Sequence, residues 1–407
     1  INKNSKNYIP WDDLTLSNGY PGLILMYSQL DLVFPEKGWD YVTYDYLLAL
    51  QERMKINKLD DISLFGGLTG IAYAVSQANR AENRYSAYIE NLDEILRNQT
   101  KIFLDNSKKF MIQNTRLGTV PSWYDVMSGI TGLGVYFLTK PNYFYNELLE
   151  ILNCLIELSK PIMVKGFKVP GWYVPPEYQF NDEYRKHYPN GNFNCGLAHG
   201  IAGPLAFLSF CLEKEIIVKG QKEAITYMTE WLINKRRESN REMAWPSIIS
   251  FEQETEDKKN KHEILRNGWC YGLPGVSFAL YVAGKALNFR ELTKESISSY
   301  KSLKNSYITN LPNTSGFCHG IAGNIHMLDN MIKNEKEELG ELYGEINTLS
   351  QLLINSYSRN LPFGFVDVAE GSLHKPGLLE GSAGICLSIL SLIHDNKLEW
   401  DKMFLMG

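Results

Sequence analysis

Along this chain, runs that are apolar nearly all round alternate with segments in which charges and apolar residues share a helical period. Each apolar run follows a Gly-x-x-Gly element. The copies are "NGYPGLILMYSQL" at Gly19, "GLTGIAYAVSQA" at Gly67, "GITGLGVYFL" at Gly129 and "HGIAGPLAFLSF" at Gly200. Three more follow: "YGLPGVSFALYVAG" at Gly272, "HGIAGNIHML" at Gly320 and "EGSAGICLSIL" at Gly381. One copy alone reads as a glycine-marked turn at a helix start. Copies recurring in order read as an internal repeat.

A run apolar on every side marks a helix buried on most sides. The segments between, such as "RAENRYSAYIENLDEILRNQTKIFL", carry the single apolar stripe of an outer amphipathic helix. The pattern therefore predicts an all-α fold of seven inner and seven outer helices, closed as an α/α toroid. An open solenoid would share the local signals. Glycine is expected because it relieves backbone crowding and tolerates unusual dihedrals ahead of a helix. If the hairpins repeat faithfully, all inner helices run the same way and their N-termini gather at one mouth. Helix dipoles and unpaired N–H groups would favour anions there.

The whole chain, 1–407, is expected to form one such domain with one interruption. Residues 163–194, "MVKGFKVPGWYVPPEYQFNDEYRKHYPNGNFN", are rich in Pro, Gly and aromatics and lack a helical period. They read as an inserted extended or loop element outside the barrel. Trp172, Tyr173, Tyr178 and Tyr184 are its candidates for covering an apolar peptide strip, and "FKVPGWYV" for pairing with peptide backbone. Pro170, Pro175 and Pro176 shorten any such edge. The charged run at 252–263, "EQETEDKKNKHE", reads as a solvated loop.

Composition narrows the class. A net charge of −5 over 407 residues argues against a general nucleic-acid binder. No apolar run approaches a membrane span, and no stretch reads as a secretory signal. The first residue is Ile rather than Met, which leaves room for a longer natural chain. Six scattered cysteines fit a reducing, cytoplasmic setting in which thiols act as ligands or nucleophiles.

Two cysteines stand in matching repeat frames: Cys270 in "NGWCYGLPGV", and Cys318, followed by His319, in "SGFCHGIAGN". Sequence-adjacent Cys318 and His319 can reach one ion only from a turn, since neighbours do not share a helix face. Two thiolates and an imidazole suit zinc, and three protein ligands leave a position open, as in catalytic sites. The competing reading is two buried cysteines and a core histidine, which the shared frame disfavours. Other polar residues decorate the same turns. His199 precedes Gly200 as His319 precedes Gly320, Asp125 lies shortly before Gly129, and Glu380 precedes Gly381. Arg266, Trp269 and Tyr271 surround Cys270. Cys154, Cys211 and Cys386 read as buried filler, and nothing marks Cys195 as a ligand.

The Gly-x-x-Gly repeats, "WCYG" and "CHG" together resemble the lanthionine synthetase C-like proteins, the stand-alone lantibiotic cyclases of the nisin-cyclase type, from "LTLSNGYPG" to "LLEGSAGI". That resemblance implies a zinc-bearing α/α toroid that adds cysteine thiols of a precursor peptide to dehydroalanine or dehydrobutyrine. One zinc per chain would be held by Cys270, Cys318 and His319. His199 and Asp125 match the family's proposed acid/base pair, and Arg266 and Tyr271 match further active-site positions. The implied partners are a dehydrated precursor peptide with its leader, and a dehydratase and an ABC transporter at the inner face of the membrane. Three alternatives remain open at this level: another zinc-thiolate alkyltransferase, a carbohydrate-active toroid using Asp125 and Glu380, and a zinc-stabilised peptide-binding scaffold without turnover.

Overall fold

The computed structural model describes residues 9–79, 83–113, 118–239, 242–256, 266–309, 311–367, 373–394 and 396–407. In chain order these form α1 (Tyr20–Val33), α2 (Trp39–Ile56), α3 (Leu68–Ala78), α4 (Ser86–Gln113), the single turn α5 (Pro121–Tyr124), α6 (Ile130–Phe137) and α7 (Tyr145–Ser159). There follow β1 (Ile162–Val164), β2 (Phe167–Val169), α8 (Asp182–His187), β3 (Asn192–Asn194), α9 (Ala202–Glu213) and α10 (Gln221–Lys235). Next come β4 (Arg237–Ser239), β5 (Glu242–Ala244), β6 (Ile248–Ser250), α11 (Phe251–Thr255), α12 (Leu273–Ala286) and α13 (Arg290–Thr309). The chain closes with α14 (Ile321–Asn334), α15 (Lys336–Leu339), α16 (Tyr343–Asn355) and α17 (Ser382–Ile393).

Every Gly-x-x-Gly opens a helix: α1, α3, α6, α9, α12, α14 and α17. These are the inner helices of the expected pattern. All of α6 is buried, and α14 is buried along nearly its whole length. The intervening helices bury a stripe. In α2 it is Thr43, Leu47 and Leu50, and in α10 Ala224, Ile225, Met228, Trp231 and Leu232, the spacing of one helix face. No described helix is long and apolar enough to cross a membrane.

The described residues divide into two compact units. One takes residues 1–96, 267–269 and 306–407. In it α1 packs on α2, α3 and α17, and α14 on α16 and α17. Its core holds a cluster of Phe65, Trp269, Phe317, Trp400 and Phe404, with rings in near-perpendicular or tilted contact. The other takes residues 97–266 and 270–305, with α9 against α6, α10 and α12, and α7 against α6 and α10.

The glycines are needed for a reason narrower than dihedral freedom. Five of the first-position glycines (Gly19, Gly67, Gly129, Gly320, Gly381) cap their helices in extended backbone that any residue adopts; only Gly272, at φ 91°, needs the left-handed side. Close approach is the requirement. A Cβ on Gly323 would stand 1.8 Å from the carbonyl oxygen of Phe317, and one on Gly384 2.0 Å from that of Leu378. Gly70 meets Leu64, Gly203 meets Leu197 and Gly22 meets Leu16 in the same way. In each case the carbonyl six residues back lies on the helix's first turn.

The segment 163–194 is more structured than its composition predicts. β1 and β2 form a hairpin pairing Ile162 with Val169, and β3 pairs with β6. A short helix, α8, stands where no helical period was expected. Asn181 caps it by accepting the Tyr184 N–H (2.9 Å), with acids in its first turn and bases in its last. The charged run at 252–263 also differs from a loop at its start. Ser250 and Gln253 form a reciprocal capping box that starts α11, with Phe251 and Gln253 buried. Residues 257–263 of that run lie outside the described residues.

Two glycine substitutions separate these effects. Gly323→Ala should destabilise the protein by about 1–3 kcal/mol, because the clash is with backbone that cannot rotate away. Gly344→Ala, where an added Cβ meets nothing within 4 Å, should be neutral or stabilise by up to about 1 kcal/mol. Urea unfolding of both variants checks the pair, and equal midpoints would contradict the close-approach account.

Candidate metal and proton-transfer site

The glycine turns hydrogen-bond to one another through backbone, and this holds the chemistry-bearing residues in place. In the first unit Ser17 N–H donates to the Phe65 carbonyl (3.2 Å) and Leu378 N–H to that of Ser17 (2.8 Å). The Cys318 N–H donates to the Leu379 carbonyl (2.7 Å). In the second unit Val126 N–H donates to the Ala198 carbonyl (3.1 Å), and Leu197 N–H to that of Cys270 (3.0 Å).

Asp125 is buried, 1% exposed, and both of its oxygens are used. Oδ1 accepts from the N–H groups of Ser128 (2.7 Å) and Gly129 (2.9 Å), bracing the turn before α6. Oδ2 lies 2.6 Å from His199 Nδ1. That contact engages Nδ1 and not Nε2. Burial lowers the proton affinity of the His199 imidazole, but the hydrogen bond and charge of Asp125 outweigh it. The pKa therefore stands above the usual 6.5. The edge of Phe180 meets the His199 ring, with centroids 5.3 Å apart and planes at 68°.

Tyr271 is half-buried, and its hydroxyl accepts from Asn194 Nδ2 (3.0 Å). Burial drives its pKa well up, with the Asn194 bond offsetting only part, so the phenol stays protonated at neutral pH. The exposed Arg266 guanidinium lies 5.9 Å from the Tyr271 ring centroid, the reach of a cation–π contact. Trp269, beside them in sequence, is core: fully buried, its Nε1 donates to the Phe404 carbonyl (2.9 Å).

Cys318 and His319 sit in the bend before α14. Gly268 lies against them, since a Cβ there would come within 2.7 Å of the His319 Cα. Cys270 follows two residues later along the same segment. One ligand atom each from Cys270, Cys318 and His319 lies within 4.8 Å of the others. Zinc bond lengths of about 2.0–2.3 Å put tetrahedral ligands about 3.3–3.8 Å apart, so the trio could hold one zinc after contracting by about 1 Å. Two thiols and an imidazole are also the donor set that zinc prefers.

Glu380 does not stand as a lone carboxylate. It pairs with Lys375 (2.5 Å), whose buried ammonium also reaches Asp367 (2.9 Å). Cys195, Cys154 and Cys211 are buried, and Cys386 is half-buried. Burial pushes the Cys386 thiol up to about 11, far from a neutral-pH nucleophile. Trp172 and Tyr173 are excluded from peptide binding by burial. Trp172 packs edge-on against Trp231, and Tyr173 donates through its hydroxyl to the Asn190 carbonyl (2.7 Å). Part of the "FKVPGWYV" edge is also occupied, by β1 and by a bridge from Val174 to Asn192. Sequence reasoning missed Asn194 and Phe180, for which neither periodicity nor motif frame gives a signal.

Comparison with known proteins bears on the family and the fold of the chain. The family model for the lanthionine synthetase C-like protein matches residues 10–405. The chain therefore belongs to the lanthionine synthetase C-like family. The nisin biosynthesis protein NisC of Lactococcus lactis subsp. lactis is 25% identical over 381 residues, covering 91% of this chain and 86% of that protein. The solved structure of a nisin cyclase superposes with a TM-score of 0.82 at 22% identity, covering 98% of this chain and 93% of that one. The fold is accordingly an α/α toroid.

The histidine geometry makes a pH-dependent prediction. Asp125→Asn removes the charge that raises the His199 pKa, so the imidazole should titrate at lower pH than in the parent. In the parent, the stabilisation from this pair is full below about 6.5, the unfolded pKa, and is lost as pH rises through the higher folded value. Proton NMR titration of the His199 ring measures the shift. An unchanged pKa in the variant would contradict the assignment of Asp125 as its cause.

Proposed function

We propose that this protein is a zinc-dependent lanthipeptide cyclase in which Cys270, Cys318 and His319 hold the metal and His199 donates the proton that completes ring closure. Membership of the family and its lanthionine-forming activity are established by the comparisons; the metal and the residue roles are this reading's own. The observation that carries it is the convergence of two thiols and an imidazole within 4.8 Å.

A free cysteine thiol, with pKa near 8.5, is only a few per cent thiolate at neutral pH. Zinc, when bound, would supply the missing acidity by deprotonating a coordinated substrate thiol. The rest falls to the chain's own side chains. A sulfur–Cβ bond forms as the Cα=Cβ π bond of dehydroalanine or dehydrobutyrine breaks, and negative charge develops on the adjoining carbonyl. Arg266 is suited to stabilise that charge. Cα then needs a proton. His199, protonated at neutral pH more readily than an ordinary histidine and held by Asp125 through Nδ1, offers one from Nε2. Tyr271, kept neutral, is a hydrogen-bond donor beside Arg266. The thiol loses a proton as Cα gains one, so the product is an isomer of the starting peptide.

The acceptor alkene must already exist in the peptide, which implies a dehydratase acting earlier on Ser or Thr. The substrate is therefore a dehydrated precursor peptide that still carries free cysteines.

Because mass does not change, the assay follows loss of alkylatable thiol in a dehydrated, cysteine-containing peptide. The parent should block thiols and contain about one zinc per chain. Cys270→Ala and Cys318→Ala should each lose metal and activity while keeping helical circular dichroism. Full zinc content in both variants would refute the ligand set. His199→Asn should keep zinc but slow closure by about 10²–10⁴-fold, the span for losing an acid/base group. Near-parental rates in that variant would make His199 structural.

A further inference from the structure

Residues 176–188 carry an aromatic series that the chemistry above does not use. Phe180 meets Tyr184 at 5.7 Å, nearly perpendicular, and Tyr184 meets Tyr188 at 6.1 Å. The first member of the series also meets the imidazole of His199, at 5.3 Å. Phe180 is 48% exposed. A half-exposed phenylalanine is ordinary on a protein surface, and exposure alone carries no argument. What sets Phe180 apart is the stiffness of the backbone that presents it.

On one side, Gln179 is buried and fully engaged. Its Nε2 donates to the carbonyls of Val174 (3.0 Å) and Pro175 (3.3 Å), and its Oε1 accepts from Asn192 (2.8 Å). On the other side, Asn181 caps α8 through Tyr184 N–H (2.9 Å), and Arg185 Nε donates to the Pro176 carbonyl (3.2 Å). Phe180 is thus flanked on both sides by residues tied into the fold. Its backbone is held in place, and its ring meets the imidazole that Asp125 contacts.

We propose that Phe180 is a positioning and selectivity residue: its ring walls the space beside His199 and seats the acceptor alkene so that Cα lies within reach of Nε2. This rests on the cyclase reading above. Protonation demands that Cα stand within about hydrogen-bond distance of the donor, yet the alkene offers no polar group at Cα or Cβ to hold it there. Arg266 can hold the adjoining carbonyl, and flat apolar contact is what can seat the alkene carbons themselves. Dehydrobutyrine differs from dehydroalanine by one methyl on Cβ, the carbon next to the one protonated. A wall at this place therefore senses that methyl, and one methyl in an apolar pocket is worth roughly tenfold or more in discrimination.

The test uses two dehydrated peptides with the same leader and a single cysteine, one bearing dehydroalanine and the other dehydrobutyrine as acceptor. Thiol loss is timed for the parent, Phe180→Ala and Phe180→Leu. Phe180→Ala should lower kcat by about tenfold or more and change the ratio of the two rates by about tenfold, the low end of the range for one methyl in an apolar pocket. Phe180→Leu, which keeps apolar volume, should restore part of both. Zinc content, circular dichroism and titration of labelled leader should match the parent in all three proteins. An unchanged rate and ratio in Phe180→Ala would overturn the proposal. So would an equal fall on both acceptors that leucine fails to restore, or a fall accompanied by lost zinc or a lower unfolding midpoint, because each makes Phe180 a support of its loop. A parent inert towards both peptides would overturn the cyclase reading itself, and this proposal with it.

Discussion

The site depends on a carbonyl resting on a glycine. At five of the seven turns the second glycine of Gly-x-x-Gly receives the carbonyl oxygen of the residue six positions earlier, at a distance that no side chain tolerates. That contact folds each approach segment tightly over the start of its helix, and the same segments hydrogen-bond to one another through backbone. A residue placed four or five positions before such a glycine is therefore held at a helix entrance by backbone rather than by its own packing. His199, Cys318 and His319 all occupy such places, and Asp125 lies a little earlier in its own turn.

Holding reactive residues on backbone has a chemical consequence. Asp125 uses one carboxylate oxygen to brace its turn and the other to orient His199. The orientation of the imidazole is thus coupled to the same local structure that the glycines impose. Charge follows geometry: a buried carboxylate against one ring nitrogen raises the histidine's proton affinity despite burial, which suits a proton donor better than a base. Tyr271 illustrates the opposite case, in which burial, only partly offset by the hydrogen bond from Asn194, keeps a hydroxyl neutral.

The inserted segment departs most from expectation, and the reason is burial. Its composition of Pro, Gly and aromatics reads as a surface element, yet Trp172 and Tyr173 are among the most buried residues of the chain. Aromatic content alone cannot distinguish rings that fill a core from rings that face a ligand, because both draw on the same apolar surface. Capping chemistry was legible in principle: Asn181 ahead of Asp182-Glu183, and Ser250 three residues before Gln253, are helix starts written in residue types. Lys375 illustrates another limit. Its two carboxylate partners lie five and eight residues away, but only burial makes that trio an ion-pair cluster instead of solvated charge.

By itself, the sequence determined the repeat, the alternation of buried and striped helices, and the identity of the residues at each turn. These are local: helical period and glycine spacing act over a few residues and are readable without knowing what packs on what. It also named Cys270, Cys318 and His319 as candidate ligands, from residue type and repeat frame, and one ligand atom of each lies within 4.8 Å of the others. Only the tertiary structure decided which turn residues meet. The 2.6 Å contact of His199 with Asp125 joins positions 74 residues apart, and the contact of Phe180 with His199 joins an irregular loop to a helix entrance. Such contacts depend on how whole elements pack, and packing is a property of the assembled core that no short window of sequence contains.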